Sequence, residues 1–169
     1  MSSSSDEIHI RKPQANDGYD IHQLIANSPP LDLNSVYSYY LLSEHFRDSC
    51  VVAESQGKVV GFLSAYRLPQ EPQTLFVWQV VVNRALRGKR VAWRMLESLL
   101  QRFDGDEVQR VEATVNPSNT ASRGLFERLA TKQGTTLEED IFLEATAFGP
   151  GGGHESEILI RVPLNTQNS

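Results

Sequence analysis

The pattern of apolar and polar positions predicts one strand and two helices in the first third of the chain. Residues 8–12 are compatible with a short strand. In residues 16–26, and again in residues 34–46, apolar side chains recur on one face of a helix. Two consecutive prolines lie between these segments, and since proline cannot continue a helix, we expect two separate helices. Asn34 is predicted to cap the second helix.

The middle of the chain predicts a hairpin followed by a strongly apolar strand. Residues 49–54 and 59–66 are rich in β-branched and aromatic side chains, and residues 55–58 supply a turn between them. Residues 75–82 are almost continuously apolar, which is typical of a strand that is buried on both faces. We therefore expect three successive strands, the last of them central in a sheet.

The second half of the chain predicts two helices and three strands. Residues 91–103 carry apolar side chains at helical spacing, and residues 110–115 predict a short strand. A second helix then begins, with Ser118 as its predicted capping residue. Residues 137–143 and 157–162 predict two late strands. The whole order indicates an α/β chain that is built around one mixed sheet.

Length and composition favour a single globular domain. The chain has 169 residues, of which 40% are hydrophobic and 22% charged, enough to bury a core. We expect the domain to span residues 8–163, with a disordered start at residues 1–7 and a tail at residues 164–169. The longest apolar runs are far shorter than the roughly 20 residues that a membrane span needs, so we expect no membrane insertion.

Charge and cysteine content exclude several classes of function. A net charge of −5 argues against general binding of nucleic acid. The single cysteine, Cys50, excludes an intrachain disulfide and a multi-cysteine metal site, and we expect no metal. The polar, acidic first residues lack the basic end and apolar stretch of a secretory signal, so we expect a cytoplasmic protein.

A basic turn between the apolar strand and the next helix is a candidate phosphate site. Residues 87–90 read RGKR, and a helix follows at once. Glycine at position 88 lets a ligand approach the backbone closely, and the start of a helix presents unpaired N–H groups and partial positive charge. The alternative is an ordinary connection from strand to helix with solvated basic side chains.

Together with the segment NPSNTASRGLF, which begins at Asn116, this turn resembles that of the GNAT superfamily of acyl-CoA-dependent N-acetyltransferases. Arg87 and Ala92 fit the first and last places of the family turn, and Arg90 stands where its internal glycine usually lies. The resemblance implies acetyl-CoA as the co-substrate. It implies a cofactor-binding set made of Val80, Val81, Val82, Arg87, Gly88, Lys89, Arg90, Val91, Ala92, Asn119 and Ser122.

Within that set the resemblance implies three roles. The amides of residues 87–92 would hold the pyrophosphate, and Asn119 would contact the pantetheine arm. A backbone N–H among residues 80–82 would polarise the thioester carbonyl. The family often has a tyrosine as proton donor to the departing thiolate at the position of Phe126. Tyr37, Tyr39 or a water molecule could replace it, and expelling a thiolate near neutral pH costs only about 2 kcal/mol.

A wider set of segments resembles the family of L-2,4-diaminobutyrate acetyltransferases of ectoine biosynthesis. Residues 30–37, 78–80, 114–119 and 148–157 occur in the order of that family, over roughly residues 8–163. The resemblance implies a single GNAT domain with a mixed, mostly antiparallel sheet flanked by helices, and a homodimer. It also implies acetylation of the γ-amine of L-2,4-diaminobutyrate, giving N4-acetyl-L-2,4-diaminobutyrate, which a separate synthase would cyclise to ectoine.

The residues of these segments suit a substrate with two ammonium groups and one carboxylate. The candidate acceptor-binding residues are Asp32, Asn34, Tyr37, Trp78, Asn116, His154, Glu155 and Glu157. The three carboxylates could neutralise the amines, and the amide and aromatic side chains could orient the carbon chain and carboxylate. Taken singly, Asp32 also fits a turn or a helix cap, Trp78 a buried core position, and His154 with Glu155 a solvated hairpin tip.

The expected reaction is a direct transfer from acetyl-CoA to a neutral amine. Deprotonating an alkyl ammonium at pH 7 costs roughly 4.6 kcal/mol. Glu157 is the first candidate to bind the reacting amine and remove its proton, and Asp32 and His154 are the next catalytic candidates. Two alternatives stay open: a GNAT enzyme for another amine, such as a polyamine, an amino acid or a protein N-terminus, and a non-catalytic acyl-CoA-binding module.

Overall fold

The computed structural model describes residues 7–104 and 108–165. Within these ranges the elements follow the predicted order of one strand, two helices, three strands, a helix, a strand, a helix and two strands. The predicted disordered start and the predicted tail lie mostly outside the described residues, so both stay predictions, as do the domain bounds.

The secondary structure consists of seven strands and four α-helices in the described part of the chain. The strands are β1 (His9–Arg11), β2 (Val51–Ser55), β3 (Lys58–Leu68), β4 (Glu71–Val82), β5 (Arg110–Val115), β6 (Glu138–Leu143) and β7 (Glu157–Pro163). The helices are α1 (Gly18–Ala26), α2 (Val36–His45), α3 (Val91–Gln101) and α4 (Thr120–Gln133). The strands are hydrogen-bonded in the order β1-β2-β3-β4-β5-β7-β6. The β4–β5 pair is parallel, whereas β1–β2, β2–β3, β5–β7 and β6–β7 are antiparallel, which confirms the predicted mixed sheet.

The chain divides into two compact units, and the first contains the described residues up to Tyr66 together with Gln79–Arg102. In it, α1 packs against α2, and α3 packs against β1 and β2. Gly61 permits this packing, because a Cβ there would lie 3.0 Å from the Cβ of Ala53 and 3.3 Å from the Sδ of Met95. The buried members of one core cluster are Ile21, Leu24, Ile25, Tyr39, Leu42, Cys50, Val52, Phe62 and Val81.

The second unit contains Arg67–Trp78 and the described residues after Arg102. Strand β4 pairs with β5 from Thr74 opposite Arg110 to Val77 opposite Ala113. Helix α4 packs against β7 and buries Leu125, Phe126 and Leu129. Strand β6 lies at the edge of the sheet, and all its side chains are exposed.

Three predictions about local structure are wrong in detail. Ser35, not Asn34, caps α2 by accepting a hydrogen bond from Ser38 N at 3.3 Å. Asn119, not Ser118, caps α4 by accepting from the N–H of Ser122 at 3.1 Å. In both places two neighbouring residues can cap a helix, so composition cannot choose between them.

The third error concerns β4, which is not buried on both faces throughout. It begins at Glu71, and Trp78 is 43% exposed whereas Gln79 is only 4% exposed. The side chains of a strand point alternately to its two faces, so burying the polar Gln79 turns the aromatic Trp78 outward. The prediction followed the apolar character of the run and missed this alternation.

Candidate functional site

The turn that precedes α3 has a backbone suited to an anionic ligand. Gly88 has φ +82°, and Arg90 has φ +62° and ψ +25°, so both lie in the left-handed region. Helix α3 begins at Val91, and Arg90 is its N-cap residue without a side-chain capping hydrogen bond in the described structure. The first amides of α3 therefore lack the side-chain cap that α2 and α4 possess, and the helix dipole adds positive charge there.

The conformation of Arg90 explains why its place in the family turn usually holds glycine. For a residue with a side chain, the left-handed region is about 1 kcal/mol less favourable than the right-handed one, whereas glycine adopts both almost equally well. The chain nevertheless keeps the left-handed backbone at Arg90. The side chains of Arg87, Lys89 and Arg90 are exposed, so their charge is accessible at the same turn.

The end of β4 holds the three valines, one of whose backbone N–H groups is predicted to polarise the thioester carbonyl. Val81 is buried, and Val80 and Val82 are half-buried. Beyond them, the N–H of Asn83 donates to the carbonyl oxygen of Val60 at 2.8 Å, which fixes the point where β4 leaves the sheet.

The loop before α2 carries the first group of acceptor candidates. Asp32 and Tyr37 are exposed, Tyr37 to 69%, and Asn34 is half-buried. The carbonyl oxygen of Asp32 accepts a hydrogen bond from Gln79 Nε2 at 2.7 Å. The N–H of Asn34 donates to the hydroxyl of Tyr39 at 3.2 Å. The structure thus ties this loop to the buried Gln79, which the sequence did not assign to a site, and to Tyr39, which the sequence considered only as a proton donor to the thiolate.

In the second unit, the start of α4 lies beside the glycine-rich loop before β7. The Ser118 hydroxyl donates a hydrogen bond to the Glu155 carboxylate. Asn116 and Asn119 are half-buried, and the N–H of Asn119 donates to the carbonyl oxygen of Asn116 at 2.9 Å. The Asn119 side chain caps α4, so any contact with pantetheine must be made while its Oδ1 accepts from Ser122.

His154 and Glu157 have defined places in that loop and strand. The His154 ring stacks on Phe148, with the centroids 3.6 Å apart and the planes inclined by 16°. His154 Nδ1 donates to the carbonyl oxygen of Glu155 at 2.7 Å, since a carbonyl can only accept, and this leaves Nε2 as the acceptor when the ring is neutral. Glu157 is half-buried, begins β7 and lies opposite Leu143.

The candidate proton donors to the leaving thiolate differ in accessibility. Phe126, at the position where the family often has the donor tyrosine, cannot donate a proton; it is 2% exposed and lies on the core side of α4. Tyr39 is fully buried, and its hydroxyl donates to Gln79 Oε1 at 3.1 Å, so its proton is already engaged. Tyr37 and a water molecule remain as candidates.

Cys50 does not have the properties of a nucleophile. Its side chain is fully buried, and burial raises the pKa of the thiol from 9.0 to about 11. A neutral buried thiol is a poor nucleophile, which agrees with a transfer that forms no acyl-cysteine intermediate.

This burial predicts that Cys50 resists alkylation in the folded protein. At pH 8 the raised pKa lowers the thiolate fraction about 100-fold relative to an unperturbed thiol, and burial adds a steric barrier. Iodoacetamide labelling at pH 8, followed by mass spectrometry, should be at least about 100-fold slower in buffer than in 6–8 M urea. Equal rates in the two conditions would contradict the buried thiol.

The described residues contain neither a candidate metal-binding cluster nor a helix that could span a membrane. Among residues 7–104 and 108–165, no three His, Cys, Asp or Glu side chains come together in a way that could hold a metal ion. None of the helices in that part of the chain has both the length and the apolar character that a membrane crossing requires.

Comparisons with known proteins find similar sequences over most of this chain. The model of the acetyltransferase (GNAT) family matches residues 18–130. The L-2,4-diaminobutyric acid acetyltransferase of Bordetella parapertussis is 47% identical over 161 residues, which cover 95% of this chain and 86% of the relative. The enzyme of the same name from Vibrio cholerae is 44% identical over 94% of this chain and 91% of the relative.

A solved structure is similar over almost the whole fold. It is the diaminobutyrate acetyltransferase EctA from Paenibacillus lautus in complex with its substrate L-2,4-diaminobutyric acid and coenzyme A. Its TM-score is 0.90 and its sequence is 40% identical, with 96% of this chain and 98% of that chain covered.

Proposed function

This chain belongs to the GNAT family of acetyltransferases, and from that premise we propose that it transfers an acetyl group from acetyl-CoA to L-2,4-diaminobutyrate. The observation that carries the proposal is the similarity, over nearly all of both chains, to a protein solved with diaminobutyric acid and coenzyme A. Because the similarity covers nearly all of both chains and not the cofactor turn alone, it favours the same acceptor as well as the same cofactor.

The acetyl group goes to the γ-amine, and the product is N4-acetyl-L-2,4-diaminobutyrate. The neutral amine attacks the thioester carbonyl carbon, and the C–S bond breaks as the tetrahedral intermediate collapses. One proton leaves the attacking nitrogen for a base, and one proton reaches the CoA thiolate from Tyr37 or water. The proposed transfer is direct, and the burial of Cys50 with its raised thiol pKa argues against an acyl-cysteine intermediate.

The cofactor is assigned to the turn before α3 and to the end of β4. The amides of residues 87–92 bind the pyrophosphate, supported by the left-handed backbone at Gly88 and Arg90 and by the exposed basic side chains. An N–H among residues 80–82 polarises the thioester carbonyl. Asn119 contacts the pantetheine arm, and Ser122 belongs to the same proposed cofactor-binding set.

The acceptor is assigned to two groups of residues. The first group lies on and just after the loop that precedes α2 and consists of Asp32, Asn34 and Tyr37. The second group consists of Trp78, Asn116, His154, Glu155 and Glu157. An exposed Trp78 supports a role in binding, since a purely structural tryptophan would be expected to be buried. Glu157 is the first candidate for the base, because it is a half-buried carboxylate at the beginning of β7.

Three further assignments complete the proposal. The acetylated product is an intermediate of ectoine biosynthesis. The protein is assigned to the cytoplasm, as a compartment that supplies acetyl-CoA. A homodimer is supported by β6, which is the edge strand of the sheet among the described residues. Its Ile141 and Phe142 are each 56% exposed, and exposed apolar side chains at a sheet edge favour association.

The proposed function predicts a specific product. Incubation with acetyl-CoA and L-2,4-diaminobutyrate should release one thiol per acetylated molecule, and NMR should place the acetyl group on the γ-nitrogen. Exclusive α-acetylation would contradict the regiochemistry. Faster turnover of a polyamine or a peptide N-terminus would favour another amine substrate. Tight acetyl-CoA binding without thiol release from any amine would favour a binding module.

A further inference from the structure

A buried hydrogen-bond network connects α2, β4 and the loop that contains Asp32 and Asn34. The Tyr39 hydroxyl donates to Gln79 Oε1 at 3.1 Å and accepts from the N–H of Asn34 at 3.2 Å. Gln79 Nε2 donates to the carbonyl oxygen of Asp32 at 2.7 Å. All of these groups lie in the first unit. The network therefore reaches the loop at two points, on either side of Leu33.

Both buried residues are themselves held in place. The Tyr39 ring packs edge-on against Phe62 and His22, with centroid distances of 6.3 Å and 6.0 Å. The N–H of Gln79 donates to the hydroxyl oxygen of Ser64, itself fully buried, at 3.1 Å. A side chain that is fixed at its backbone and by its neighbours can hold a loop with little loss of precision.

The network acts chiefly on the backbone of the loop. The contacts to Asp32 and Asn34 involve a carbonyl oxygen and an N–H, with one longer contact of 3.5 Å between Asn34 Nδ2 and the Tyr39 hydroxyl. Leu33 between them is 48% exposed, so apolar burial does little to anchor the loop there. These buried polar contacts therefore help to fix the backbone from which the Asp32 and Asn34 side chains extend, next to Leu31, which packs against the core cluster.

We propose that Tyr39 and Gln79 are positioning residues for the acceptor, because they hold the Asp32–Asn34 loop in the conformation that binds the substrate amine. This inference rests on the proposed function, in which Asp32 and Asn34 contact diaminobutyrate. Tyr39 is fully buried and Gln79 is 4% exposed, so we expect their loss to act through the loop and to affect the binding of the acceptor more than the binding of acetyl-CoA.

The test uses Tyr39→Phe, which removes one hydroxyl and keeps the ring, and Gln79→Glu, which keeps the shape and, in its ionised form, has no donor for the carbonyl oxygen of Asp32. We expect each variant to raise the KM for diaminobutyrate roughly tenfold, since each removes a buried hydrogen bond to the loop. The KM for acetyl-CoA should stay within about twofold. The double variant should be little worse than either single one, because the two residues act as one unit.

Ser43→Ala is the matched control. Ser43 is a fully buried residue of the same helix, and its hydroxyl has no hydrogen-bond partner among the described residues. Its removal should leave both KM values unchanged. A thermal melt of each variant separates a loss of stability from a loss of positioning.

The outcomes distinguish this inference from the function on which it rests. If the wild-type protein releases no CoA with diaminobutyrate, the proposed function and the inference fall together. If the wild type is active and Tyr39→Phe and Gln79→Glu keep its KM for diaminobutyrate, or raise both KM values equally, only the positioning role is overturned.

Discussion

Replacing Glu157 with glutamine is expected to lower kcat/KM for diaminobutyrate by about 10²–10⁴ at pH 7, which is the factor that general-base catalysis typically contributes. Glutamine has nearly the same shape as glutamate but cannot accept the proton that the substrate ammonium must lose before its nitrogen attacks. At pH 7 almost all of the substrate is protonated, since an alkyl amine has a pKa near 10.4. The variant must therefore depend on the scarce neutral amine in solution.

The pH dependence of this defect is the sharper measurement. As the pH rises from 7 towards 10, the fraction of neutral amine increases about tenfold per unit. The variant should recover activity with that slope, whereas the wild type should approach a plateau earlier because Glu157 removes the proton in the site. The ratio of the two kcat/KM values should therefore shrink steadily as the pH rises.

Glu127→Gln provides the matched control for the loss of a carboxylate. Glu127 is exposed on α4 and pairs with Arg123 at 3.1 Å, an i,i+4 ion pair at the surface. Its activity should equal that of the wild type over the whole pH range. If Glu157→Gln also keeps wild-type kcat/KM at every pH, Glu157 is not the base, and Asp32→Asn and His154→Gln become the variants to compare.

The order of elements could be predicted from the spacing of apolar residues, because the side chains that a helix or strand buries recur at the period of that element. The residues of α3 show this most clearly: Val91, Met95, Leu96 and Leu99 recur at helical spacing, and all four are buried. The hairpin between β2 and β3 was predicted for a similar local reason, and Gln56 and Gly57 have the positive φ values of its two-residue turn. Signals of this kind lie within a few residues of the structure that they determine.

The parts that the sequence did not predict depend on distant contacts. Gln79 was one polar residue in an apolar run, and only its partners Tyr39 and Asp32, some 40 residues away, show why it is buried. Ser118 was predicted as a helix cap, but its hydroxyl binds Glu155, 37 residues later in the chain. Periodicity carries no information about such pairs. A lone polar residue within an apolar strand is nevertheless a signal that a buried partner exists.

The candidate site was predicted from family resemblance more than from residue patterns. The RGKR turn alone was compatible with an ordinary connection, and His154 with a solvated loop tip. The structure adds the left-handed backbone at Arg90 and the stacking of His154 on Phe148, which no pattern indicated. These details turn the assigned residues into positions that can be tested separately.

The turn before α3 gives the second large expected effect. Arg90→Pro should raise the KM for acetyl-CoA by about 10² or more, because the proline ring fixes φ near −65° and Arg90 requires +62°. The residue before a proline is restricted as well, so Lys89 would also be displaced. The amides that bind the pyrophosphate would then no longer point to one place. The measurement is the KM for each substrate, with circular dichroism to confirm folding.

Arg90→Gly is the matched control, because glycine adopts the left-handed backbone freely and removes only the side chain. Its KM for acetyl-CoA should rise by no more than about threefold, the effect of one exposed charge next to a phosphate. A large rise in the KM for acetyl-CoA with proline and a small rise with glycine would show that the backbone amides of the turn, and not the Arg90 side chain, provide most of the binding energy. If glycine weakens acetyl-CoA binding as much as proline does, the guanidinium of Arg90 is the principal contact instead. If a folded Arg90→Pro protein binds acetyl-CoA normally, the pyrophosphate lies elsewhere.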